Sequence, residues 1–515
     1  MITPTDPPAT TTTGARRIAF AAIVLAMLPA VLDQTILATA LPTIAADLGR
    51  LTDVSWVIST YVITAAATTP LWGKLGDRLG RKRLLEISLV WFLVASAVCG
   101  AAQSITWLIV SRAVQGAAAG GLMTLAYAAV GDLVSARERA RYQGYIVATF
   151  AFATVIGPLI GGLLVQHASW RWVFYVNLPL GAAALAGLEL RLPAPDTSPP
   201  TARLDIPGAA LLAGSTIALL LACIWGGDRY AWTSATIVGL IAGALVLALA
   251  FVARERRAPD PLVPLELMRS RTVAVSSVAL FLTTAALFSI TVFVPLYLQT
   301  TTGATPTAAG LLVAPMMLGI TLSTNLAGRA IARTGRYRRY PIIGLAAMAV
   351  ALGLLATLVP HPSQVRIAVT LVLFGFGFGM VGQVLIVAVQ NGVPRTQLGI
   401  AMGTTTFFRG LGGAVGAAVL GAIFTARTGT SSTGGGLQHL GAAGRIDVIH
   451  GVQTVFLCAT PIAGVALLTV LLLREVPLDA RAPTPSGPAV SRRTIAATLS
   501  PPRSAVRAPR SPEGR

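Results

Sequence analysis

Charge is what this 515-residue chain most lacks: only 11% of its residues are Asp, Glu, Lys or Arg, against about a quarter in an ordinary soluble protein. With 54% hydrophobic residues and a mean hydropathy of +0.74, that shortage excludes a water-soluble globular fold and points to a chain that runs mostly through lipid. Cysteine is nearly absent. Cys99, Cys223 and Cys458 each stand in a separate apolar run, with no CxxC pair and no histidine beside them, so neither a disulfide framework nor a metal set is expected. The four histidines, His167, His361, His439 and His450, all fall at or beyond the face assigned below as external, which leaves no catalytic set and argues against an enzyme. A phosphate loop is missing too. Gly375-Phe376-Gly377-Phe378-Gly379 lies inside an apolar run and lacks the Lys-Ser/Thr that such a loop needs, so ATP is not expected as an energy source and no cofactor is expected.

What is present is a series of apolar runs of bilayer length. They predict an all-α polytopic membrane protein with fourteen transmembrane helices, near 18–41, 53–72, 84–102, 104–130, 142–165, 174–190, 206–225, 235–252, 273–298, 306–331, 341–358, 366–389, 399–425 and 452–473. Asn177 reads as a cap for the sixth, with Pro179 in its first turn, and Thr305 before Pro306 as the start of the tenth. The chain then divides into a disordered tail (1–15), an N-terminal six-helix bundle (16–190), a proline-rich linker (191–205), two inserted helices with a basic loop (206–271), a C-terminal six-helix bundle (272–474) and a disordered basic tail (475–515). The outer loop 427–450, rich in Gly, Ser and Thr, is expected to be mobile.

A net charge of +20 in a soluble chain would suggest nucleic acid, so the distribution of charge decides. Of the 39 Lys and Arg, only Arg50, Arg171, Arg229, Arg366, Arg427 and Arg445 fall on one side, and Arg112 and Arg409 fall within spans. The rest lie on the other side. This is positive-inside bias: it places both termini in the cytoplasm and removes nucleic acid from the expected partners. Membrane lipid replaces it, with the C-terminal tail suited to anionic headgroups.

The stretch Gly73-Lys74-Leu75-Gly76-Asp77-Arg78-Leu79-Gly80-Arg81-Lys82-Arg83 is expected to be a short basic cytoplasmic turn between the second and third spans. A shift of 255 residues lays Gly328 to Arg338 over it, matching Gly73, Gly80 and the basic positions 74, 78, 81 and 83, and lays Gly412, Gly413 and Gly416 over Gly157, Pro158 and Gly161. One offset serving two segments implies two parallel six-helix halves, with spans seven and eight inserted between them. Asp77 has no counterpart; its place in the second copy is taken by Ala332.

Five stretches carry a family resemblance. The basic stretch fits a Gly-x-Leu-x-Asp-Arg-x-Gly-Arg-Lys loop. Leu32-Asp33-Gln34-Thr35-Ile36 through Leu41-Pro42 fits a first-span motif, and Leu108 to Gly121, with Arg112, Gln115 and Gly116, a fourth-span motif. Gly157-Pro158-Leu159-Ile160-Gly161-Gly162 fits a fifth-span antiporter motif, and Trp170 to Pro179 a signature before the sixth span. Together they resemble the fourteen-spanner drug:proton antiporter branch of the major facilitator superfamily, over nearly everything but the tails. The resemblance implies a major facilitator fold and a monomer that exchanges protons for lipophilic small molecules, drugs or antibiotics, across a bacterial inner membrane. Export of one dedicated metabolite, lipid or siderophore stays open, as does a non-transporting sensor or assembly partner.

Asp33 is the acid placed nearest the middle of a span, where an ionised carboxylate is costly and a functional role is the default reading. Arg112 is its candidate partner for proton coupling. A fixed structural pair is the alternative. Gly73, Asp77, Arg78, Gly80 and Arg81 are candidates for a conformational gate, with Asp77 expected near the N-terminal end of the thirteenth span and near Arg78 and Arg141. Ala153, Gly157 and Gly161 share a helical stripe that permits close packing, with Pro158 and Gly162 beside it; Gly144 falls on the opposite side, and only the resemblance joins it to the antiporter motif. Gln34, Tyr61, Gln115, Met123, Tyr127, Phe288, Gln383 and Arg409 are candidates for a substrate cavity. For Arg409, neutralisation of Asp33, contact with substrate and snorkelling to the cytoplasmic edge are all open.

Overall fold

In lipid every backbone polar group must be satisfied within the chain, so runs of apolar residues at this length fold as helices. The computed structural model describes residues 13–48, 51–191, 205–227, 229–302, 314–359, 363–428 and 442–476. The predicted N-terminal tail up to residue 12, most of the linker, the Thr305–Pro306 start, the middle of the outer loop and the C-terminal tail lie outside the described residues.

The N-terminal bundle consists of α1 (Thr13–Leu48), α2 (Leu51–Leu79), α3 (Arg81–Gly100), α4 (Ile105–Leu133), α5 (Ala136–His167), the single turn α6 (Trp172–Tyr175) and α7 (Asn177–Arg191). The inserted pair is α8 (Ile206–Trp225) and α9 (Ala235–Glu255), followed by the short α10 (Leu265–Arg269). The C-terminal bundle consists of α11 (Arg271–Thr302), α12 (Ala314–Thr334), α13 (Arg339–Leu358), α14 (Gln364–Gly392), α15 (Leu398–Thr428) and α16 (Ala442–Leu471). Twelve helices among the described residues are long and apolar enough to cross a membrane. The two long helices that fall short of that test, α2 and α12, are counterparts under the 255-residue shift, and each packs against the opposite bundle.

Three boundaries differ from expectation. Gly73 to Arg83 is not a turn: α2 runs on to Leu79 and α3 starts at Arg81, with Gly80 alone between them. Gly80 has φ +91° and its repeat counterpart Gly335 has φ +68°, a region that side chains disfavour, so the repeated glycine marks where the chain reverses. α16 begins ten residues before the predicted span, because Gly444, Arg445 and Asp447 dilute its apolar pattern without breaking the helix. The loop after α9 holds α10, and Glu255 accepts hydrogen bonds from the Leu262 and Val263 amides at 3.0 and 3.2 Å, which folds the loop back under the bundle.

The two bundles meet along two helix pairs, α2 with α15 and α5 with α12. The 255-residue shift turns α2 into α12 and α5 into α15, so each pair is the other with the halves exchanged. That is the signature of a pseudo-twofold axis between parallel repeats. α8 packs on both α2 and α15 and is tied to α9 by Ser215 Oγ, which donates to Ala244 O at 2.9 Å.

Candidate functional site

Arg112 and Gln115, one helical turn apart on α4, face α1 together. Arg112 Nη1 donates to Asp33 Oδ2 at 2.5 Å and to Gln115 Oε1 at 2.6 Å, and Gln115 Nε2 donates to Asp33 Oδ1 at 3.2 Å. Asn177 Nδ2 reaches the same carboxylate oxygen at 3.4 Å and Ser96 Oγ at 3.0 Å. Arg112 Nε donates to Val57 O at 3.1 Å, and its guanidinium lies 4.2 Å from the centroid of the Tyr61 ring. The two charges are 0% and 1% exposed. Every partner of Asp33 is a hydrogen-bond donor, so the cluster holds a carboxylate without solvent. Besides Asp33, Arg112 has uncharged neighbours, the Tyr61 ring and the Val57 carbonyl.

Tyr61 belongs to two places at once. It covers Arg112, and with Gln34, Thr69 and Met123 it lines a cavity of about 190 Å³ between the bundles, completed by Leu220 of α8 and by Thr406 and Gly410 of α15. Asp33 and Arg112 do not line it. Gln115, predicted for the cavity, sits in the Asp33 cluster instead, wholly buried. Tyr127 and Gln383 are also buried away from it, with Tyr127 Oη and Gln383 Oε1 unpartnered among the described residues. Phe288 packs beside Gly413, and Arg409 is half-buried next to Gly410.

The end of the molecule rich in basic residues is closed. Asp77 caps α15: the Gly399 and Ile400 amides donate to Asp77 Oδ1 and Oδ2 at 2.7 and 2.8 Å, which brings a carboxylate to the positive end of a helix from the other bundle. Its ionic partner is Arg81, at 2.7 Å, which also pairs with Asp132 and donates to Arg395 O at 2.5 Å. Neither Arg78 nor Arg141 takes that place. Arg78 and Lys74 reach Asp260 at 3.5 and 2.5 Å, fastening the loop after α9 to the end of α2, and Arg141 donates to Tyr145 Oη at 2.9 Å. Arg139 adds a second clasp, donating to Gln390 O at 2.7 Å and Gly131 O at 2.6 Å, while Gln390 Nε2 donates to Tyr127 O at 2.8 Å.

Glycine makes these approaches possible. A Cβ on Gly73 would overlap Gly399 O, and one on Gly399 would lie 2.5 Å from Gly73 O and 2.7 Å from Asp77 Oδ1. On the exchanged pair, a Cβ on Gly328 would lie 2.5 Å from Ala140 O, and one on Gly144 would lie 2.9 Å from Asn325 Oδ1. Gly144 is the repeat counterpart of Gly399, so it serves the contact between bundles. Gly157 and Gly161 use the other side of α5, where Thr35 and Thr39 of α1 press on them; Pro158 is exposed, and Gly162 has open space around it.

Residues 23–417 match the family model of the Major Facilitator Superfamily. The chain belongs to the Major Facilitator Superfamily. Its relatives include an uncharacterized MFS-type transporter of Mycobacterium tuberculosis, 39% identical over 90% of this chain and 70% of its own length. A multidrug transporter of Bacillus subtilis is 34% identical over 81% of this chain and 77% of its own. Among solved structures, a human organic anion transporter covers 91% of this chain and all of its own with a TM-score of 0.63 at 18% identity, and a proton:xylose symporter covers 88% and 95% with a TM-score of 0.63 at 13% identity. At those identities the likeness extends to the fold. The superfamily and the fold are those of membrane transporters, not enzymes.

Proposed function

We propose that this superfamily member is a proton-coupled antiporter that exports lipophilic small molecules across the bacterial inner membrane by alternating access. The observation that carries the reading is Asp33: a fully buried carboxylate held only by donors, one of which, Arg112, is covered by a residue of the central cavity. Two Bacillus subtilis relatives, one named a multidrug transporter and one a multidrug resistance protein, support the class of cargo.

The basic end is the cytoplasmic end, both termini lie there, and the closed arrangement faces outward. A proton arriving from outside binds Asp33 and removes its charge, which ends the attraction to Arg112 and lets Tyr61 move into or out of the cavity with the released guanidinium. Cargo leaves outward at this stage. The bundles then rock about the α2/α15 and α5/α12 pairs, the Asp77 cap separates, and cargo enters from the cytoplasm as Asp33 gives up its proton there. One proton moving through 100 mV contributes about 2.3 kcal/mol, roughly a fiftyfold cargo gradient if coupling is complete.

In proteoliposomes, Asp33→Asn is expected to abolish the pH-gradient-driven movement of whichever probe the wild type moves, carboxyfluorescein or ethidium, while exchange of that probe down its own gradient continues. A variant that still follows the pH gradient removes Asp33 from the coupling role. In cells, the same substitution is expected to erase any resistance that the intact gene confers across a drug panel.

A further inference from the structure

Arg409 is the one ionised side chain inside the membrane-spanning part of the C-terminal bundle, and among the described residues it forms no hydrogen bond or ion pair. No acid is available to it there. Between residues 272 and 474 the sequence contains a single acid, Asp447, in the first turns of α16 at the opposite end from the basic clasp. The acid nearest in depth, Asp33, is already occupied by Arg112, Gln115 and Asn177 and is shut off from the cavity by Tyr61. Arg409 is eleven residues into α15, about 16 Å from its basic end at 1.5 Å per residue; the whole helix is about 46 Å long against a hydrocarbon core of about 30 Å, which puts Arg409 within the core on its basic side.

The register of α15 fixes where Arg409 sits. At 100° per residue, Thr406 and Gly410, which line the cavity, mark one edge of a sector, and Gly412 and Gly416, pressed against Phe281 and Ala285 of α11, mark the other. Arg409 falls between them, beside the residues that line the cavity and on the side of α15 that turns toward α11. The other cavity groups are uncharged: Gln34, Tyr61, Thr69, Met123 and Thr406. Among the described residues, Arg409 is therefore the charged side chain placed next to the cavity on α15, and no carboxylate lines that cavity.

We propose that the cargo carries an anionic group, a carboxylate, phenolate or phosphate on an apolar body, and that Arg409 binds it. This rests on the export reading above and narrows its substrate class. An unpaired guanidinium within the hydrocarbon core is costly, and a charge-assisted, bidentate contact with such a group offsets that cost. A lipophilic cation would meet repulsion with no compensating acid. Outward movement of an anion is also favoured by an inside-negative potential, so proton entry and anion exit draw on the same field.

Carboxyfluorescein and ethidium, an organic anion and an organic cation, serve as probes, with binding to the purified full-length protein read by fluorescence anisotropy. The wild type is expected to bind carboxyfluorescein more tightly than ethidium. Arg409→Gln is expected to raise the ratio of the two dissociation constants by at least about tenfold, the size of one charge-assisted hydrogen bond, and Arg409→Lys by less than about threefold. A wild type that prefers ethidium, or an Arg409→Gln ratio equal to the wild-type ratio, overturns the proposal whatever transport shows. Preferential carboxyfluorescein binding lost in Arg409→Gln, without movement driven by a pH gradient in proteoliposomes, upholds the anion site and overturns the export reading instead.

Discussion

Arg112→Met is expected to destabilise the protein by about 3–5 kcal/mol, and adding Asp33→Asn to the same chain is expected to restore most of that loss. The asymmetry follows from burial. With Arg112 present, Asp33 has a cation at 2.5 Å and two amide donors behind it; with Met in its place, a carboxylate with no exposure keeps only Gln115 and Asn177. Arg112 also orders Gln115, whose Oε1 accepts from it, and fills the space beneath Tyr61, so the single change disturbs three side chains. Met, unbranched and apolar, fills much of that space, and Asn at position 33 removes the stranded charge while keeping a group that the amides can bind. Melting of the detergent-solubilised protein, followed as loss of the monodisperse peak after heating, measures both variants. If Arg112→Met and the double variant melt together well below wild type, the loss comes from packing around Tyr61 and not from the charge.

The same comparison separates stability from coupling. The double variant is expected to fold well and still to move cargo only down its own gradient, because it has no carboxylate at position 33 to carry a proton. A fixed structural pair gives the opposite pattern, with coupling returning alongside stability. The geometry makes the distinction worth testing, because buried ion pairs are poor stabilisers when compared with apolar packing, and their persistence at the centre of a membrane bundle calls for another reason.

Much of the fold was legible because the bilayer imposes length and the repeat imposes register. Most of the apolar runs, twelve of which meet the length and hydropathy of a span among the described residues, are visible from hydropathy, and the repeated Gly80 and Gly335 from one offset. The site was legible only in part. Asp33 and Arg112 stand out because charge within an apolar run is rare, but Asn177 reads as a helix cap and instead spends its amide on an acid 144 residues away. Nothing local in its sequence signals that contact. Arg81 is a different case: it stands at the start of α3, across the reversal at Gly80 from Asp77 at the end of α2, and a reading of the whole stretch as one basic turn does not single it out from Arg78. Gly144 seemed to be on the wrong side of α5 because that helix serves two partners, α12 through Gly144 and α1 through Gly157 and Gly161.

The second large effect is expected at the clasp. Gly73→Val should shift the protein from closed to open at its basic end, and Asp77→Ala should shift it the same way by a different route. At Gly73 the obstacle is backbone: a Cβ would overlap Gly399 O and lie 2.9 Å from its carbonyl carbon, so no rotamer change relieves it and α2 and α15 must separate. At Asp77 the loss is of two charge-assisted bonds to the Gly399 and Ile400 amides, together with the partner of Arg81. With such bonds contributing about 1.5–3 kcal/mol each, removal of both changes the closed-to-open ratio on the order of a hundredfold or more. Distances between spin labels at the basic ends of α2 and α15 report that ratio directly, as a shift of the distance distribution in detergent and in nanodiscs. Asp77→Asn should fall between wild type and Asp77→Ala, since its amide oxygen accepts one of the two bonds without charge. Unchanged distributions in both Gly73→Val and Asp77→Ala would mean that Arg139, through Gln390 O and Gly131 O, holds the halves together by itself and that the α15 cap follows closure without maintaining it.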